Sequence, residues 1–136
     1  MEDFCANHCT LKEDGLYNNK TGARVRALGV VHVFGNMADM PRLLDIARRY
    51  KLILIEDATE ALGTRYTAGP LAGKAAGTMG DIGCYSFNGN KIMTTGAGGF
   101  VVSNHADWAE HAKHLSTQPR PICCNFCMMK SATTTA

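Results

Sequence analysis

The sequence predicts an α/β layered domain built on a mostly parallel sheet with flanking helices. Three observations carry this reading: two nearly continuous apolar runs, at Ala27–Val33 and Leu52–Ile55; an amphipathic stretch between them; and polar residues gathered where the apolar runs stop. A strand covered on both faces reads as an unbroken apolar run, whereas a helix covered on one face repeats with a period near 3.6.

Residues 1–24 mix charge, Asn and Gly and read as an opening segment, with a turn at Asn18–Gly22 ahead of the first strand. Ala27–Val33 ends in a loop at Phe34-Gly35-Asn36. From Ala38 to Tyr50, Met40, Leu43, Leu44, Ile46 and Ala47 share one helical face, with Asp39, Arg42, Asp45, Arg48 and Arg49 largely opposite. Pro41 suits the first turn, and the basic end suits the helix dipole. Strand, helix and strand at this spacing form a parallel βαβ unit. The second strand stops at Glu56-Asp57. A short helical piece is expected at Thr59–Leu62, then a glycine-rich loop from Gly63 to Gly83. Strands follow at Ile82–Phe87 and Phe100–Ser103 around a Gly96–Gly99 turn, then a helix at Asp107–Leu115 with Asn104 or Asp107 near its cap.

Composition narrows the function. The chain has 136 residues, 14 basic and 12 acidic side chains and 46% hydrophobic residues, which excludes a disordered tail and a nucleic-acid binder driven by bulk charge. No apolar run approaches the ~20 residues of a spanning helix. The start, Met1-Glu2-Asp3-Phe4, is acidic where a secretory signal is basic, so a cytoplasmic protein without a membrane partner is expected. The six cysteines then read as reduced thiols.

In open parallel sheets, ligands bind beyond the carboxyl ends of the strands. Asp57 ends one strand, Ser86 ends another, and Lys91 lies in the loop that follows. An acid, a hydroxyl and a lysine there match the needs of pyridoxal phosphate. The carboxylate keeps the pyridine nitrogen protonated, the hydroxyl binds phosphate, and the lysine forms a Schiff base.

The residue strings are more specific. Val31–Asn36 (VHVFGN), Ile55–Gly63 (IEDATEALG), Gly80–Gly83 (GDIG) and Ser86–Gly99 (SFNGNKIMTTGAGG) resemble the DegT/DnrJ/StrS-type sugar aminotransferases, which are fold-type-I pyridoxal-phosphate enzymes. The resemblance runs from about Arg24 to Gln118 and is weaker in residues 1–24. It implies that residues 25–118 are the central part of a cofactor-binding large domain, so that the chain is a partial domain. It is nearest to the branch that aminates UDP-4-keto-6-deoxy-N-acetylglucosamine, in amino-sugar biosynthesis. Carried over by position, Lys91 is the Schiff-base lysine and later the proton-moving base. Asp57 pairs with the pyridinium nitrogen, Glu60 lies near the ring hydroxyl, and Ser86 holds a phosphate oxygen. The resemblance further implies glutamate as amino donor, a nucleotide-linked keto sugar as acceptor, and a homodimer.

The tail reads differently. Permitted codons for Met128–Ala136, shifted back by one base, encode His-Asp-Glu-Ile-Gly-Tyr-Asn-Tyr-Arg, which resembles the family motif expected soon after Lys91. Residues 119–136 are therefore expected to be an out-of-frame, disordered tail, with the frame changing near Ser116–Pro121. A fragment of this kind is expected to be inactive alone.

Blander readings compete. Lys91 competes with a solvated loop lysine, Asp57 with a cap for the next helix, Ser86 with a filler hydroxyl, and Glu60 with surface charge. His32 reads as a packed or loop-orienting histidine. Gly96–Gly99 lacks the Lys-Ser/Thr of a phosphate loop. Cys5, His8 and Cys9 with Cys124 and Cys127 make a poor zinc set once the tail is read out of frame, so no metal is expected. Arg48, Arg49 and Lys51 read as a solvated helix end. A noncatalytic interaction module on the same fold, or a product without function, is the alternative reading.

Overall fold

The computed structural model describes residues 1–117. In chain order the elements are α1 (Glu2–Asn7), β1 (Cys9–Lys12), β2 (Gly15–Asn18), β3 (Arg24–Val25), β4 (Ala27–Val31), α2 (Met40–Arg49), β5 (Ile53–Asp57), β6 (Ile82–Ser86), β7 (Gly99–Ser103) and α3 (Ala106–Thr117). The strands form two sheets, β1-β2-β3 and β4-β5-β6-β7. In the larger one, β4, β5 and β6 are parallel and β7 is antiparallel to β6. The fold is the expected α/β partial domain, with a mixed rather than uniform sheet.

The β4–α2–β5 unit forms where the sequence places it. Asp39 caps α2 by accepting from the Arg42 amide, and Pro41 fills the first turn, where a missing N–H costs nothing. Met40, Ile46 and Ala47 are buried against Leu28 and Leu54, with Leu43 and Leu44 half-buried beside them. Alternation along the strands then divides the sheet. Leu28, Leu54, Glu56 and Tyr85 turn toward the covered face, and Ile53, Ile55, Asp57, Ile82, Cys84 and Ser86 are left half-buried on the other.

Beyond β5, the Ala76–Gly80 loop lies directly on β6. A Cβ at Gly83 would collide with the Gly77 carbonyl oxygen, and Gly77 itself has φ +81° with the Tyr85 hydroxyl 2.5 Å from its would-be Cβ. Only glycine fits either position.

The opening segment is more ordered than its composition suggests. It forms α1 and a three-stranded antiparallel sheet, with the turn at Asn18–Gly22 closed by Asn18 Oδ1, which accepts from the Lys20 and Thr21 amides. Cys5, Cys9 and Leu16 are buried in the same core as Leu28 and Leu54. Glu2 bridges Arg42 and Arg49 of α2, and Lys51 Nζ donates to the Glu13 carbonyl. Arg49 and Lys51 of the basic cluster, with Arg42, therefore fasten this segment down, while Arg48 is exposed as expected of a solvated helix end.

One further expectation is corrected. Thr59–Leu62 is not helical. It forms successive turns, with the Ala61 amide donating to Ala58 and Thr64 to Ala61, before Gly63 leaves at φ +87°. So short a piece cannot repay helix nucleation, and the Glu60 side chain is drawn elsewhere. β5 continues through Glu56 and Asp57, because both pair with β4 and β6. α3 starts at Ala106, with the His105 carbonyl accepting from Trp108 and Ala109; Asn104 precedes the cap and Asp107 sits in the first turn.

The expected tail, 119–136, lies outside the described residues. Among the described residues, no helix is long and apolar enough to cross a membrane, and no group of three or more His, Cys, Asp or Glu is placed to hold a metal.

Candidate active site

The site is built at the carboxyl ends of β4, β5 and β6. Parallel register sets Val31 level with Asp57, so β4 and β5 end together, and Asp57 level with Cys84, so β6 runs two residues further to Ser86. Asp57 Oδ1 accepts from the Thr59 amide at 3.0 Å. One oxygen thus makes the local cap, and Oδ2 has no hydrogen-bond partner among the described residues. Ser86 Oγ accepts from the Asn88 amide at 3.3 Å, starting the turn closed by the Lys91 amide on the Asn88 carbonyl. The Ser86 hydroxyl proton remains available.

Lys91 is carried back toward the strand ends by the long β6–β7 connection. Its Nζ lies 3.3 Å from Glu60 Oε1, with the lysine side chain 16% exposed. Glu60 Oε2 accepts from the Phe34 amide at 3.2 Å. Phe34 is held at φ +52° in the loop after β4. One carboxylate therefore ties the loops following β4 and β6 to a point three residues beyond Asp57. The sequence-predicted residues Asp57, Glu60, Ser86 and Lys91 all fall at this end of the sheet. Burial, and then the Asp57 charge, push the Cys84 thiol up, so the cysteine beside the site stays protonated.

Beneath the site lies a residue that the sequence reading passed over. Glu56 is fully buried. Its Oε2 accepts from His32 Nε2 at 3.0 Å and the Gly77 amide at 2.8 Å, and its Oε1 from the Met79 amide at 2.6 Å and the Gly80 amide. His32 is itself 1% exposed, and the Ala38 amide donates to its Nδ1 at 3.2 Å, which places the ring proton on Nε2. It is the packed, loop-orienting histidine that was expected. The signal for Glu56 was parity: two residues after Leu54, it shares Leu54's covered face, where a carboxylate needs donors. Burial, and then the Glu56 charge, push Tyr85 up, and its hydroxyl donates to the Ala76 carbonyl.

The family model for DegT/DnrJ/EryC1/StrS aminotransferases matches residues 5–122. The chain belongs to this family. It is 43% identical over 95 residues to the GDP-perosamine synthase of Caulobacter vibrioides, covering 70% of this chain and 24% of that protein. It is 41% identical over 99 residues to the L-glutamine:scyllo-inosose aminotransferase of Streptomyces griseus, covering 73% of this chain and 22% of that protein. The crystal structure of a DegT DnrJ EryC1 StrS aminotransferase from Brucella abortus superposes with TM-score 0.65 at 25% identity, over 79% of this chain and 28% of that one. The chain spans about a quarter of the length of the curated relatives it matches.

This family is pyridoxal-phosphate-dependent. The donor set fits such a cofactor: a carboxylate oxygen without a partner on Asp57, a hydroxyl proton on Ser86 and a primary amine on Lys91, at the end of the sheet where ligands bind.

Proposed function

We propose that this chain is the cofactor-holding part of an aminotransferase that moves an amino group from glutamate to a keto sugar carried on a nucleotide, in amino-sugar biosynthesis. The observation that carries this reading is the approach of Lys91 Nζ to Glu60, three residues beyond Asp57. When bound, pyridoxal phosphate supplies an aldehyde that captures amines and a ring that accepts electrons. In this reading Asp57 Oδ2 would accept a hydrogen bond from the ring N–H and so keep that nitrogen protonated, and the Ser86 hydroxyl would donate a hydrogen bond to the phosphate. Lys91 is the residue whose amine would hold the aldehyde carbon and would afterwards serve as the proton-moving base. Glu60 holds Lys91 in reach and would lie near the ring hydroxyl.

The motif resemblance favours UDP-4-keto-6-deoxy-N-acetylglucosamine as acceptor. Relatives named for GDP-perosamine and scyllo-inosose support the broader class of sugar-like ketones. The same reading makes the whole enzyme a cytoplasmic homodimer. The chain spans about a quarter of the relatives' length, and in this reading it is inactive alone.

The test is to add pyridoxal phosphate, reduce with borohydride and map the modified peptide. Label concentrated on Lys91 supports the reading. Label elsewhere, or none, favours a noncatalytic interaction module, whose surface would be the exposed Val31, Val33, Phe34, Ile92 and Met93 at the same end of the molecule.

A further inference from the structure

We propose that Glu56 and His32 are a positioning pair that fixes the direction of the Asp57 carboxylate and the place of Lys91; the inference rests on the reading of Asp57 and Lys91 given above. His32 grips the end of β5 twice. Its backbone amide donates to the Asp57 carbonyl at 3.0 Å, and its Nε2 donates to Glu56 Oε2 at 3.0 Å. Two consecutive residues of one strand end are thus held by a single side chain and its own backbone. Adjacent strand residues point to opposite faces, so holding Glu56 inward turns Asp57 outward.

The remaining donors make the hold specific. Gly77, Met79 and Gly80 present their amides to Glu56, so both carboxylate oxygens carry two hydrogen bonds each. With Glu56 fully buried and His32 1% exposed, solvent has little access to replace a lost partner. A buried polar network with every group satisfied imposes one geometry, whereas an apolar filler tolerates several. The influence reaches Lys91 as well. His32 Nδ1 accepts from Ala38 and so closes the loop that contains Phe34, whose amide holds Glu60 Oε2 while Glu60 Oε1 holds Lys91.

The experiment compares the wild-type chain with Glu56→Gln, His32→Leu and His32→Gln. Glu56→Gln keeps the shape but replaces one acceptor oxygen with an NH2 facing N–H donors. His32→Leu removes both ring contacts, whereas His32→Gln offers an N–H toward Glu56 and an oxygen toward the Ala38 amide. Two readouts are taken on each folded variant: hydrogen exchange at Ala38, Gly77, Met79 and Gly80 without ligand, and the rate of pyridoxyl labelling of Lys91 after borohydride. Glu56→Gln and His32→Leu are expected to speed exchange and slow labelling by about tenfold or more, with His32→Gln largely restoring both. Faster exchange with unchanged labelling assigns the pair a structural role only and overturns the proposal, as does wild-type behaviour in both variants. If Glu56→Gln does not fold, His32→Leu against His32→Gln decides by the same criteria. Absence of label on Lys91 in the wild type overturns the functional reading and the positioning role with it. Label on the wild type with indifferent variants overturns only the positioning role.

Discussion

On the covered face of the four-stranded sheet, Leu28 is 3% exposed, Leu54 1%, Glu56 0% and Tyr85 9%; on the opposite face Val31 is 55% exposed, and Asp57 and Ser86 are half-buried. The contrast is sharpest between neighbours. Glu56 and Asp57 carry the same functional group, yet one is saturated by four donors and the other keeps an oxygen without a partner. Strand parity alone separates them. A carboxylate committed to holding loops has no capacity left for a ligand, whereas a carboxylate on the open face does. The same sheet thus divides its polar groups into those that fix the backbone and those free to react.

The largest expected effect is on the covered face. Glu56→Ala strands the His32 ring proton and three amides without an acceptor; at about 1–3 kcal/mol for each buried donor left unsatisfied, it should cost at least about 3 kcal/mol in urea denaturation. A wild-type midpoint would break the comparison.

A matched pair sharpens it. Leu54→Ala should cost about 2–5 kcal/mol, because a fully buried side chain leaves a cavity. Ile55→Ala, one residue along and half-buried, should cost clearly less in the same denaturation series.

Smaller effects concern titration. The Cys84 thiol is raised by burial and then by Asp57, so its alkylation, followed peptide by peptide, should be slow at neutral pH and accelerate only above the ordinary thiol range. Asp57→Ala should shift that profile toward lower pH.

The smallest effect is expected at Glu2. Hydrogen bonds from Arg49 and then Arg42 hold its carboxyl below the ordinary value of 4.5. A carboxyl lowered in the folded state contributes stability above that value and loses it as pH falls through the lowered one. Glu2→Gln should therefore lower the melting temperature slightly at neutral pH and leave it unchanged at strongly acidic pH.

The βαβ unit was legible because each of its parts carries a local signal: the apolar stripe of α2, its Asp39 cap and the unbroken runs of β4 and β5. The placement of Asp57 and Ser86 at strand ends, with Lys91 in the loop that follows, was legible because each apolar run stops at a polar residue. What stayed hidden depends on partners far away in the chain. Glu56 reads as one of two adjacent acids until amides 21 to 24 residues later are laid on it. The strands of the opening segment are two to four residues long and mixed in polarity, and their buried residues share a core with α2. Glu60 looked like part of a helix because its neighbours Ala58, Thr59, Ala61 and Leu62 suit one. Its carboxylate instead answers to Phe34 and Lys91.

The most direct measurement is the share of pyridoxyl label on Lys91, relative to Lys74 and Lys51, in the wild-type chain and in Asp57→Ala side by side. Losing the single hydrogen bond from the Thr59 amide should cost only about 1 kcal/mol, so both chains remain folded. The account predicts that Lys91 dominates in the wild type and loses that preference by about tenfold in Asp57→Ala. Equal labelling of the three lysines in the wild type, or a Lys91 preference indifferent to Asp57, would contradict it.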